Sequence, residues 1–191
     1  MSTATRVVLL SLALACGAAA ARAQYPQRRD GLWIGFGLGY GSAGVMCDTC
    51  RRASRQDGVT GFVKLGGAPS RNLLIGGAIN VWGHSDGTAT ETMTNVTASL
   101  YLYPWRRRGL FVSGGLGFSN YHINSTPSWD GTGWGFTTGA GYDIRFGRDV
   151  SLTPVVNYFW GGVGDINRAG RTMFTGWKQN VLDVGVGVTF H

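Results

Sequence analysis

Eight segments of this 191-residue chain set apolar side chains at every second position. In "GLWIGFGLGY", Leu32, Ile34, Phe36, Leu38 and Tyr40 alternate with Trp33, Gly35, Gly37 and Gly39. Successive side chains of a β-strand point to opposite faces, so one face of this segment is bulky and the other nearly empty. A half-buried strand of a soluble sheet carries polar or charged groups on its second face. Glycine there suits a crowded, strongly coiled interior instead.

The period returns seven more times, with these bulky rows: Val59, Val63, Leu65; Leu73, Ile75, Ile79, Val81; Thr94, Val96, Ala98, Leu100, Leu102; Leu110, Val112, Leu116, Phe118; Trp134, Phe136, Thr138, Ala140, Tyr142, Ile144; Leu152, Pro154, Val156, Tyr158, Trp160; Leu182, Val184, Val186, Val188, Phe190. Each segment is about ten residues long, the length a tilted strand needs to cross a bilayer. The connections alternate, long after the odd-numbered segments and short after the even ones. In hydrocarbon every backbone N–H and C=O must be paired internally, which strands achieve only by closing on themselves.

The prediction is therefore an all-β fold, an eight-stranded antiparallel up-and-down transmembrane β-barrel, with long loops at one mouth and tight turns at the other. With both termini on the inner side, Tyr40, Phe118, Trp134, Phe136, Tyr158 and Trp160 end the outward rows at the outer interface, while Tyr142 and Phe190 fall near the inner one. Aromatic girdles at both interfaces are expected of such barrels. A soluble lipocalin-like barrel, the alternative, would be apolar inside and polar outside.

Composition agrees with an apolar surface, since charged residues make up only 14% of the chain against roughly 25% in an average soluble domain. Residues 1–23 read as a secretory signal peptide, with Arg6 before the apolar run "VVLLSLALA" and a small-x-small cleavage site at Ala21-Arg22-Ala23. Export through the Sec pathway and cleavage near Ala23 are expected, leaving one barrel domain over residues 24–191. A lipoprotein acylated at Cys16 is the rival, but Ala13-Leu14-Ala15 fits a lipobox poorly. Losing Arg6 and Arg22 takes the formal charge from +7 to +5.

In these features the chain resembles the small eight-stranded outer-membrane β-barrel family, which includes opacity-like proteins and the OmpA-like transmembrane domain. "GAGYDIRFGRDVSLTPVVNYFW" carries the likeness most strongly, and "VLDVGVGVTFH" resembles the C-terminal signal read by the barrel-assembly machinery. Family members typically end on an aromatic residue, whereas here His191 follows Phe190. The resemblance implies location and architecture rather than one chemistry.

Cys47 and Cys50 lie in the first long connection, and a local disulfide is the expectation in an oxidising compartment. A redox thiolate beside Arg51 and Arg52, or a metal site completed by His84 and His122, are the alternatives. His122, Ser125 and Asp130 invite comparison with outer-membrane lipid A deacylases, but their spacing departs from a His-x-Ser arrangement. A polar loop without catalysis is the better account. Lys64, Asn80, Tyr101, Asp143, Arg145, Asn157 and Asp183 face inward and make a candidate lumen network, whose charges are expected to pair and plug the interior. A water or ion path is the rival reading.

Arg106, Arg107 and Arg108, with Arg28, Arg29, Arg71 and Arg148, belong to the inner side and face anionic headgroups or peptidoglycan in this reading. Arg51, Arg52, Arg55, Arg168, Arg171 and Lys178 could meet lipid A phosphates at the outer side. The expected role is structural or surface interaction through the outer loops, without catalysis, cofactor or metal; a narrow pore and a lipid A-modifying enzyme are the alternatives. Expected partners are outer-membrane lipids, lipopolysaccharide and the barrel-assembly machinery, with no nucleic acid and a monomeric barrel.

Overall fold

The computed structural model describes residues 29–48 and 54–191; the expected signal peptide, Arg28, Cys50, Arg51 and Arg52 lie outside the described residues. Its strands are β1 (Gly31–Met46), β2 (Gln56–Ser70), β3 (Leu73–Ser85), β4 (Thr90–Leu102), β5 (Leu110–Asn124), β6 (Trp129–Tyr142), β7 (Ile144–Arg145), β8 (Val150–Arg168) and β9 (Arg171–Phe190). Each pairs antiparallel with its neighbours, and the pairings of β1 with β9 and of β6 with β8 close the sheet.

β6 and β7 are two parts of one stave. Phe136 opposite Trp160 and Arg145 opposite Ser151 hold the same register against β8. The break falls at Asp143, whose backbone N–H donates to the Gly109 carbonyl at 2.9 Å, one step beyond the Leu110–Tyr142 pair. Eight staves thus form a closed antiparallel barrel.

The register fixes its shape. From Ile34 the paired positions run through Leu65, Gly77, Ala98, Leu116, Phe136, Trp160 and Asn180 and return to β1 at Gly44, ten residues beyond the start. A stagger of that size over eight strands, at about 3.3 Å per residue and about 4.8 Å between strands, tilts the strands by about 40°. Ten residues along such a strand climb about 25 Å, the height of the apolar band in outer-membrane barrels.

The faces follow the predicted alternation. Leu32, Leu38, Leu116, Phe118 and Val184 are exposed on the outer wall, while Trp33, Lys64, Leu74, Tyr101, Phe111 and Asp183 are buried inside. The nearly empty inner row of β1 also has its reason. A Cβ at Gly37 would lie 2.6 Å from the Gly187 Cα and 2.5 Å from the Phe62 ring. The barrel coils so tightly here that neighbouring backbone occupies the side-chain position. Gly37→Val should therefore destabilise the barrel by about 1–3 kcal/mol through overpacking, read as a lower urea midpoint, whereas Gly61→Val on the outer wall should cost far less.

The long outer loops expected after the third, fifth and seventh segments are instead largely strand. β8 and β9 run for 19 and 20 residues and meet in a two-residue turn at Ala169-Gly170, both with positive φ (49° and 76°), the type I′ geometry that suits hairpin twist. Above the outer girdle the outward positions become polar, as at Thr92, Asn120, Thr132 and Lys178. The inward ones become apolar, as at Met93, Tyr121, Val163 and Trp177. The period of two persists with its polarity inverted, so a search for outward apolar rows ends too early. The β3–β4 turn is short and polar: Asp86 is held down to about 2 by hydrogen bonds from the Ala89 N–H and from the hydroxyl and N–H of Thr88.

Candidate functional site

In the interior the staves bring polar and charged side chains together in layers. At the inner mouth Asp143 is fully buried with Arg29 and Arg145 beside it. Its carboxylate accepts hydrogen bonds from the Tyr103 hydroxyl at 2.7 Å and the Thr153 hydroxyl at 2.8 Å. The His191 Nε2 lies 3.4 Å away. Arg29 stacks on the Tyr103 ring at 3.6 Å and donates to the Arg108 carbonyl at 2.8 Å, and Arg145 donates to the Arg148 carbonyl at 2.9 Å. Odd-numbered His191 points inward where Phe190 points out, so the residue that departs from an aromatic ending closes this mouth.

Above lies an aromatic layer of Trp33, Tyr101 and Phe111, with Trp33 and Tyr101 edge to face at 5.0 Å. Lys64 rests on it, its Nζ 4.9 Å from the Phe111 ring and 5.2 Å from that of Tyr101. Mid-lumen polar groups follow: the Asn157 backbone and side-chain N–H groups donate to Asp183 at 3.2 and 3.0 Å. Higher still, Ser119 donates to Asn95 at 2.7 Å and Gln179 donates to Ser119 at 2.9 Å. The outer end is an apolar plug of Trp82, Met93, Tyr121, Phe159, Ile166 and Trp177.

The seven residues expected to form one lumen network therefore separate into groups. Asp143 and Arg145 share the inner mouth, Lys64 and Tyr101 share the aromatic layer, and Asn157 and Asp183 bond one another. Asn80 faces the mid-lumen with its amide nitrogen unpartnered. Among the described residues no salt bridge joins Lys64 to a carboxylate, and Asp143 attracts it from the inner mouth. Arg29, expected to meet headgroups, is 1% exposed and belongs to the inner mouth. Sequence reading missed Arg29, Tyr103 and His191 as members of that cluster, although continuing the inward rows of the neighbouring strands past their apolar ends would have found Tyr103 and His191.

Cys47 is disulfide-bonded, and Cys50 lies outside the described residues. His122 pairs with Asp130 at 2.6 Å, but the Ser125 hydroxyl donates to the Pro127 carbonyl at 2.9 Å rather than to the imidazole. Nucleophilic activation requires that second contact. No group of three or more potential metal ligands occurs among the described residues. At the outer hairpins, Trp129 stacks on Phe174 at 5.7 Å and Arg168 lies over Trp129 at 5.0 Å. Arg55 bridges the rim by donating to Asn180 Oδ1 at 2.7 Å and to the Ser42 carbonyl.

Solved structures share the fold, among them the two that follow. Ail, the attachment invasion locus protein of Yersinia pestis, solved with the heparin analogue sucrose octasulfate, matches with a TM-score of 0.55 at 13% identity, covering 84% of this chain and 99% of that one. Neisserial surface protein A matches with a TM-score of 0.54 at 13% identity, covering 84% and 97%. No curated protein matches the sequence. The model of the outer membrane protein beta-barrel domain matches residues 8–190, and the chain belongs to that family.

Proposed function

We propose that this outer-membrane barrel is a non-catalytic surface-interaction protein whose outer hairpins engage anionic groups of lipopolysaccharide. One observation carries the reading: the lumen is filled at both ends, while the outer hairpins continue past the girdle and carry the Arg168, Trp129 and Phe174 stack. Guanidinium over an indole face is a rigid, weakly hydrated cation suited to phosphate and carboxylate groups. Exposed Arg171 and Lys178 add charge at the same side. Export by the Sec pathway with cleavage near Ala23, recognition of β9 by the barrel-assembly machinery and a monomeric state complete the proposal.

The test is binding of lipopolysaccharide to the barrel in nanodiscs. Arg168→Ala together with Arg171→Ala should weaken binding about tenfold, and added salt should shrink that difference by screening exposed charges. Equal binding by both proteins would overturn the reading. The filled lumen has its own expected result: a barrel whose folding is verified by a heat-shift gel gives no discrete conductance steps in a planar bilayer. Reproducible steps would point to a pore.

A further inference from the structure

Between the aromatic layer and the outer plug lies a cavity of about 20 Å³, room for one particle of water or halide size. Its lining comes from facing staves and includes Lys64, Asn80, Tyr101, Phe111 and Thr137. Lys64 supplies the one formal charge among the described lining residues, and no carboxylate borders the space. Asp183 is held by Asn157, and Asp143 attracts Lys64 only from the cluster at the inner mouth. The four rings within 4.9 to 5.9 Å of the ammonium attract it only partly.

Two further donors line the same cavity. Asn80 Nδ2 and Thr137 Oγ1 are buried without a hydrogen-bond partner. Both residues are more than nine-tenths buried, as is Lys64. The neighbouring Thr97 and Ser99 hydroxyls satisfy one another at 2.8 Å. A water placed here brings two protons of its own into a site already rich in donors. An acceptor that carries negative charge suits a donor-lined space and offsets a cation that is otherwise costly to bury.

We propose that the mid-lumen cavity binds one monovalent inorganic anion of chloride size against Lys64. This site is independent of the outer hairpins, and its failure would leave the surface-interaction reading untouched. The test is the whole protein refolded in sodium bromide and crystallised, with data collected at the bromine absorption edge. One anomalous peak within hydrogen-bond reach of Lys64 Nζ is expected, and it should vanish in Lys64→Met. No peak in the parent protein, or a peak unchanged in Lys64→Met, would overturn the site.

Should Lys64→Met not give a heat-shifted barrel, anion size decides in the parent protein. Unfolding should be about tenfold slower in chloride, at about ten times its Kd, than in gluconate of equal ionic strength, because only the smaller anion fits the folded lumen. Equal rates in the two salts would then overturn the proposal.

Discussion

Asp143→Ala should lower the stability of the barrel by about 3–5 kcal/mol, the cost of removing one partner from a buried charge cluster. The carboxylate is fully buried between two guanidinium groups and receives the Tyr103 and Thr153 hydroxyls. Without it, Arg29 and Arg145 keep their carbonyl acceptors, and Asp149 still attracts Arg145, but both lose the fully buried carboxylate beside them. Equilibrium urea unfolding of the lipid-reconstituted protein measures the loss. Asp143→Asn, which keeps acceptor capacity but not charge, should fall between the two. A change below about 1 kcal/mol for the alanine variant would mean that the arginines reach periplasmic water instead.

Asp183 invites the same argument from sequence and does not support it. An inward carboxylate in a narrow barrel reads as the partner of an inward cation, yet its hydrogen bonds from β8 come from the neutral Asn157. Asp183→Ala should accordingly cost about 1.5–3 kcal/mol, the scale of hydrogen bonds to a charged group, with no guanidinium or ammonium stranded. The same urea titration compares the two aspartates directly, and a larger loss at Asp183 than at Asp143 would reverse this assignment.

How much was legible follows from what alternation can encode. Parity along a strand assigns inside and outside, and the rows through Leu38, Leu100, Leu116 and Val184 stand where parity put them. Which inward residues touch is set by the ten-residue stagger around the barrel, a quantity carried by strand pairing and invisible in any single segment. That is why Lys64 meets Phe111 three staves away rather than a carboxylate. The outer plug escaped notice for another reason: Trp82, Phe159 and Trp177 keep the period of two, but beyond the girdle they point to the inside of a structure surrounded by water.

Val184→Arg is the sharpest test of the membrane-facing wall. Val184 is 63% exposed, pairs with Tyr40 and Val156, and stands near the middle of the apolar band. A guanidinium there has to reach an interface along the barrel surface or be buried in hydrocarbon, at a cost of about 2–4 kcal/mol near the midplane. Leu100→Arg on the opposite wall should also destabilise, though less, because Leu100 is 51% exposed but lies two residues from the inner end of β4, nearer an interface. Ala89→Arg, in the β3–β4 turn beyond the girdle, should be mild. The comparison holds charge and side-chain size constant and changes only depth. A water-soluble barrel would tolerate all three arginines, so equal unfolding midpoints would argue against a lipid-facing wall, whereas losses confined to Val184 and Leu100 trace the height of the hydrocarbon it meets.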